Sequence, residues 1–376
     1  MTLSERVLAV RACRWATLAV PDAPYVTDLR WISHYGCRYV VHGDDVTSDA
    51  SGEDCYRFVK EAGRFKVVRR TRGISTTDLV GRMLVGGKVH FLRGGLGERV
   101  RGGAGMGEEG EGEEMRERLR AYASDEMGRG KGVDVFLCGR SGEGVCEAQF
   151  GFERFIEGKQ PQSGQRIVYV DGGFDLFSSG HIEFLRSVVE IEEAKARKAG
   201  WDKPYSPCYV VAGIHDDEVI NEAKGLNYPI MNIYERGLCL LQCKVSLKDA
   251  LPALSMPNGI IDLEQYIHSV IFGAPFTPSS SYLKSLPQGL PATVYHGPTS
   301  FMPHEHDPYI DAKQLGIFEQ VPEHDFQHVN AEQIVQRIMA KREEYIERQR
   351  RKGEKGVVEA AARRLEMEEA ASRGEA

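Results

Sequence analysis

Three regimes of hydrophobic patterning divide the chain. Ile167, Val168, Tyr169 and Val170 form an unbroken apolar run, the pattern of a strand buried on both faces, which Gly172 and Gly173 then break. From His181 onward Ile182, Phe184, Leu185, Val188, Val189 and Ile191 recur at helical spacing. This predicts a helix with Ser178, Ser179 and Gly180 at its entrance. Residues 86–135 show neither period and are rich in glycine, glutamate and arginine, so 86–160 is expected to be a flexible linker with one short helix near Met115 to Ala123. In the last stretch Ile334, Val335, Ile338 and Met339 keep a helical stripe that would pack on the domain. Residues 341–376 are then expected to form a charged helical tail. The bulky apolar stripe of a membrane-surface helix is missing there, so membrane contact would be weak and peripheral at most.

A strand, a glycine turn and a helix start make a place for an anion, because free backbone N–H groups and the positive end of the helix dipole meet there. Two serines before a helix are also ordinary caps, and the strand–turn–helix unit occurs in every α/β domain. The pattern alone leaves both readings open.

An internal repeat organises the rest. Residues 5–13, from Glu5-Arg6 to Cys13, echo 235–243, from Glu235-Arg236 to Cys243, at an offset of 230. Ala23-Pro24 echoes Ala274-Pro275, Val41-His42-Gly43 echoes Tyr295-His296-Gly297, Tyr56 echoes Tyr309, Gly63 echoes Gly316, and Leu79-Val80-Gly81-Arg82 echoes Ile334-Val335-Gln336-Arg337. Residues 1–85 therefore read as the second half of a unit present in full at 161–340. The offset grows by about 21 residues between the first two matches, which predicts an insert at 245–265 in the second copy. Its valine–serine start and glutamine end fit splice-site codons, so an intron translated in frame is one reading and a surface loop the other.

With 48 Lys and Arg against 55 Asp and Glu, the net charge is -7, and nothing points to nucleic acid. No apolar run approaches the roughly 18 residues of a membrane span, and no signal peptide is evident. Eight cysteines lack CxxC or zinc-type spacing; Cys239 and Cys243, four apart on an expected helix, read as core thiols rather than ligands, and a reduced, cytoplasmic protein with no metal-ligating set is expected.

The segment 168–185 resembles the first signature of the cytidylyltransferases, nucleotidyltransferases that carry an HxGH tetrad at this helix start. Here the tetrad is Ser178-Ser179-Gly180-His181, with serine in place of the first histidine. Residues 210–219, Lys224-Gly225, Tyr228-Pro229-Ile230-Met231-Asn232 and Glu235-Arg236 match the same family in order and spacing. Residues 70–77, Arg-Thr-Arg-Gly-Ile-Ser-Thr-Thr, match its RTxGIST signature, whose counterpart in the second copy, His328-Val329-Asn330-Ala331-Glu332, has neither arginine nor a hydroxyl run. The two-copy layout is most similar to the branch acting on phosphoethanolamine; choline-phosphate or glycerol-phosphate members fit it less well.

The resemblance implies an α/β fold of two Rossmann-like nucleotidyltransferase domains with parallel sheets, the first incomplete. Met1 falls where the family has further sequence, so an N-terminal truncation is expected. The implied reaction is in-line attack of phosphoethanolamine on the α-phosphorus of CTP, with Mg2+ accompanying the nucleotide and pyrophosphate leaving. In that reading His181 donates to the α-phosphate or leaving oxygen and Lys224 bridges the α- and β-phosphates. Gly172, Gly173, Phe174, Asp175, Ser178, Ser179 and Gly180 surround the substrates. Arg70, Thr71, Gly73, Ile74, Ser75, Thr76 and Thr77 hold the β- and γ-phosphates in the first copy. Serine at 178 cannot carry charge, and loss of such a donor costs about 2–4 kcal/mol. Two functions follow: a cytidylyltransferase of this branch, or a catalytically impaired fragment acting as a structural or regulatory partner, with activity near background. A homodimer is compatible with the family fold.

Overall fold

A computed structural model of the chain describes residues 1–44, 47–69, 75–101, 110–125, 127–141, 149–244, 266–298 and 307–345, with 347 and 350. In chain order its first elements are α1 (Leu3–Arg11), α2 (Leu29–His34), β1 (Val40–His42), α3 (Arg57–Glu61), β2 (Phe65–Val67), α4 (Thr76–Val85), α5 (Gly95–Val100) and α6 (Glu111–Ala123). Then come β3 (Asp134–Ser141), β4 (Gln149–Ile156), β5 (Arg166–Gly172), α7 (Ser179–Lys198), β6 (Cys208–Ile214), α8 (Asp217–Lys224) and α9 (Ile233–Leu241). The last are β7 (Ser269–Phe272), α10 (Ser280–Ser285), β8 (Thr293–His296), α11 (Ile310–Gln314), β9 (Phe318–Gln320) and α12 (Ala331–Met339). Two compact units result, Leu18–Leu79 and the larger Met1–Thr17 with Val80–Ala376.

The apolar run becomes β5, the strand from which the larger unit's sheet is wound. Strand order is β4-β3-β7-β6-β5-β8-β9, parallel throughout except for the antiparallel β3–β4 edge pair. Because side chains alternate across a strand, Val168 and Val170 face one core and Tyr169 the other. The first core is closed by α6, α7 and α9 and the second by α10 and α11. Every residue of β6 and β7 is buried, as crossover helices on both faces require. Each fully buried valine or isoleucine contributes about 1.5–3 kcal/mol.

The stretch 86–160 is not a flexible linker where it is described. It supplies α5, α6, β3 and β4, and α6 buries Met115, Leu119 and Ala123, spaced four apart, in the first core. Val135 and Leu137 of β3 enter the same core, while Phe136 enters the other. A helix with one residue in four apolar can be stable here because an existing sheet covers that stripe. The predicted insert at 245–265 and the tail beyond 350 lie outside the described residues.

The repeat extends to atomic contacts. In the smaller unit β1 pairs in parallel with β2, Val40 opposite Phe65; in the larger, β8 pairs likewise with β9, Val294 opposite Phe318. The His42 and Tyr56 rings lie 4.7 Å apart and those of His296 and Tyr309 5.0 Å. The Lys60–Asp54 pair, 2.5 Å, has its counterpart in Lys313–Asp307, 2.6 Å. The first-copy module nevertheless does not form one body over 1–85, since Met1–Thr17 group with the larger unit. The Arg14 guanidinium fixes them there, donating to the carbonyls of Tyr122 and Ser124 at 2.7 and 2.8 Å.

Candidate active site

From β5 the chain winds to β6 and β7 on one side and to β8 and β9 on the other, so the strand order reverses between the parallel neighbours β5 and β8. Crossover loops part at such a point and leave a crevice at the carboxyl ends of the strands. A cavity of about 780 Å3 lies there, lined by residues that follow β5, β6 and β8 and by the start of α7, the end of α8 and the start of α12.

The glycine turn after β5 is tightly wound: Phe174 and Leu176 both take positive φ, 49° and 45°, which non-glycine residues adopt only under tertiary constraint. Asp175 supplies part of that constraint. Its buried carboxylate accepts the backbone N–H groups of Ile230 and Met231, at 2.8 and 2.9 Å, tying the turn to the segment after α8. Burial raises its pKa, against the pull of those two N–H groups. Fully buried Arg236 stitches the same floor, bonding the carbonyls of Met231, Gly173 and His215 and the carboxylate of Asp217.

Gly172, Gly173, Phe174, Asp175, Gly180, His181 and Lys224 all line the cavity, whereas Ser178 and Ser179 do not. Ser178 is the buried N-cap of α7, and its hydroxyl donates to the Val329 carbonyl at 2.5 Å. Gly180 is the glycine the packing demands, because a Cβ there would come within 2.6 Å of the Val329 oxygen and 2.8 Å of the Phe326 oxygen. At Gly172 a Cβ would meet the Phe174 ring at an ordinary 3.6 Å.

His181 receives the Ser178 backbone N–H on Nδ1 at 3.1 Å, which leaves the proton of the neutral ring on Nε2. Its surroundings, first through desolvation and then through the charge of Lys224, push its pKa down to about 4. Near neutral pH it is a neutral hydrogen-bond donor. Among the described residues Lys224 is the one lysine or arginine that lines the cavity.

The lining also holds groups of different chemistry. Asp171, at the end of β5, accepts the Tyr309 hydroxyl on Oδ1, while its buried Oδ2 has no hydrogen-bond partner among the described residues. Burial pushes its pKa up to about 7, against the stabilising hydroxyls of Tyr309 and Tyr169. His296, Tyr309, His215 and Phe276 line the same cavity, the His296 and Tyr309 rings 5.0 Å apart and those of His215 and Phe276 5.6 Å. His215 is buried, donates from Nδ1 to the Ala274 carbonyl at 3.0 Å, and is held at about 4 by desolvation. None of these five was singled out as a site residue from sequence, although the paired His-Gly and tyrosine positions of the repeat pointed toward His296 and Tyr309.

Arg70, Thr71, Gly73 and Ile74 lie outside the described residues; Ser75, Thr76 and Thr77 belong to the smaller unit. There Ser75 caps α4 through the Asp78 N–H at 2.9 Å. Among the described residues no group of three or more histidine, cysteine or carboxylate side chains could hold a metal. No described helix is long and apolar enough to cross a membrane.

Comparison with known proteins bears on both copies. A family profile described as cytidylyltransferase-like matches residues 1–82. The chain is 34% identical over 358 residues to an ethanolamine-phosphate cytidylyltransferase of Mus musculus, covering 93% of this chain and 77% of that protein. A Dictyostelium discoideum protein of the same name is 32% identical over 95% of this chain and 82% of its own length. An Arabidopsis thaliana choline-phosphate cytidylyltransferase is 39% identical, but over only 25% of this chain and 31% of its own.

Proposed function

Because the chain belongs to the ethanolamine-phosphate cytidylyltransferase family, we propose that it transfers CMP from CTP to phosphoethanolamine, with the cavity at the β5–β8 switch as the seat of that substrate. The observation that carries this reading is that one cavity lining holds both a lysine with hydrogen-bond donors and a buried carboxylate among aromatic rings. Lys224, the Nε2–H of His181 and the N-terminus of α7 suit a phosphate. Asp171, with aromatic and imidazole rings around it, suits a small ammonium group. An aminoalkyl phosphate carries both groups.

In the proposed reaction a phosphate oxygen of phosphoethanolamine forms a bond to the α-phosphorus of CTP as the bond to the bridging α–β oxygen breaks, and pyrophosphate leaves. The nucleotide enters as its magnesium complex, with the ion carried as part of the substrate. Lys224 offsets the charge that accumulates on the transferring phosphoryl oxygens, and His181 donates one hydrogen bond. Arg70, Thr71, Gly73, Ile74, Ser75, Thr76 and Thr77 are proposed as a triphosphate cradle of the first copy. The Ser178 hydroxyl is committed to the Val329 carbonyl and supplies no charge, so turnover is expected about 30- to 1000-fold below that of a site with a cationic donor there.

The purified chain should release pyrophosphate from CTP only when phosphoethanolamine is added, and faster than with phosphocholine. Lys224→Ala should cut kcat about 100-fold or more. A preference for phosphocholine, or neither turnover nor binding of phosphoethanolamine, would refute the assignment.

A further inference from the structure

The two repeat copies exchange arginines. Arg82 at the end of α4 belongs to the first copy, yet its guanidinium makes a two-pronged bond to Glu235 in the second copy, at 2.7 and 2.8 Å. Arg337, its equivalent on α12, reaches back to Glu5 in the first copy at 2.9 and 3.1 Å. Both glutamates are the third residue of a capping box, Glu5 receiving the Thr2 N–H and Glu235 the Asn232 N–H. Cys13 and Cys243, themselves repeat equivalents, face each other in an antiparallel bridge flanked by Lys244 N–H to Ala12 O and Arg14 N–H to Gln242 O. A residue paired with its own counterpart marks a local two-fold axis, and the crosswise ion pairs follow from it.

The exchange is not symmetric in what it holds. Arg82 also donates to the carbonyl of Ile230 at 3.0 Å, and its own carbonyl receives the side-chain amide of buried Asn227 at 2.6 Å. The N–H of Ile230 goes to Asp175 in the cavity wall. One peptide segment is thus gripped from the cavity by a carboxylate and from the far side by a guanidinium. A planar fork suits that task, since it can satisfy a carboxylate and a carbonyl in one geometry. Arg337, at 40% side-chain exposure against 17% for Arg82, bonds the side chains of Glu5 and Gln333 and, among the described residues, no backbone of segment 228–231.

We infer that Arg82, contributed by the first copy, is a positioning residue of the second copy's substrate cavity: it fixes segment 228–231, against which Asp175 and the glycine turn are set. This rests on the substrate reading above for its ligand, but not for its mechanics.

The test compares Arg82→Ala, Arg82→Lys and Arg337→Ala in the full chain, by titration calorimetry with phosphoethanolamine and by amide exchange of the ligand-free protein at Ile230 and Met231. Arg82→Ala should weaken binding about tenfold and speed exchange at those two amides at least tenfold. Arg82→Lys, which can meet Glu235 but not the Ile230 carbonyl as well, should recover part of both. Arg337→Ala should leave both within about twofold. Equal losses in the two alanine variants, or unchanged exchange at Ile230 and Met231 in Arg82→Ala, would overturn the inference. If Arg82→Ala does not fold, Arg82→Lys must still show faster exchange at the two amides than Arg337→Ala, or the inference falls. Should the wild-type chain bind no phosphoethanolamine, the substrate reading fails and the exchange comparison alone decides this one.

Discussion

Asp171 and Lys224 give the cavity its polarity, and Asp171 makes that polarity depend on pH. Its buried carboxyl, pushed up to about 7, is largely protonated in the empty cavity under mildly acid conditions. An ammonium group placed beside it favours the ionised form, so binding must release a proton below about pH 7. Affinity for phosphoethanolamine should therefore climb by up to about tenfold per unit as pH rises toward 7, then level off. The ligand's own phosphate also titrates, and Asp171→Asn separates the two effects because it keeps the shape without the proton. Calorimetric titrations from about pH 5 to 8 should give a shallower climb in Asp171→Asn than in the wild type. Parallel curves would show that Asp171 does not meet the ligand's cation.

At the scale of elements, α7 and the segment ending at Val329 are locked by Gly180 and Ser178. Gly180→Ala would push a methyl against two backbone carbonyl oxygens and should cost about 1–3 kcal/mol, whereas Gly172→Ala, facing only an aromatic ring at ordinary distance, should stay within about 1 kcal/mol. Urea unfolding of the two variants measures this, and equal losses would show that the close approach is easily relaxed. The helix start and β5 were legible in the sequence because one unbroken apolar run and one helical stripe meet at a glycine pair. The repeat was legible for the same reason at α1 and α9, where capping residue and glutamate recur in register. Strands β3 and β4 escaped because a glycine- and glutamate-rich approach masks short apolar runs whose partner, β7, lies more than a hundred residues onward. Asp171 escaped because a lone aspartate at a strand end acquires its chemistry only when β8 and α11 bring His296 and Tyr309 beside it. Sequence pattern finds elements through local periodicity; a site assembled from several strand ends has none.

For the molecule as a whole, cavity groups with opposite habits set the response to acid. His215 is buried neutral with its pKa held at about 4, so the unfolded chain takes up a proton near 6.5 that the folded chain refuses. Its stabilising contribution is present above about 6.5 and is lost as pH falls through about 4. The partly exposed His181 and His268, also lowered to about 4, act in the same direction to a lesser extent. Asp171 works against them. Its folded pKa is raised, so its contribution is full below the ordinary aspartate value and fades as pH rises through about 7. Between roughly pH 4 and 7 the wild-type chain should show a partly cancelled dependence. Asp175 and Asp217, also raised by burial, act with Asp171; Asp171→Asn removes one of these opposing groups, and its unfolding free energy should fall about 2 kcal/mol further than wild type's between about pH 7 and 5. His215→Asn should shift the balance the other way, flattening or reversing the acid loss. Urea unfolding of the three proteins at both pH values tests the pair together. The antagonism predicts opposite signs for the two variants, so a change of the same sign in both would mean that the cavity groups do not govern the acid response.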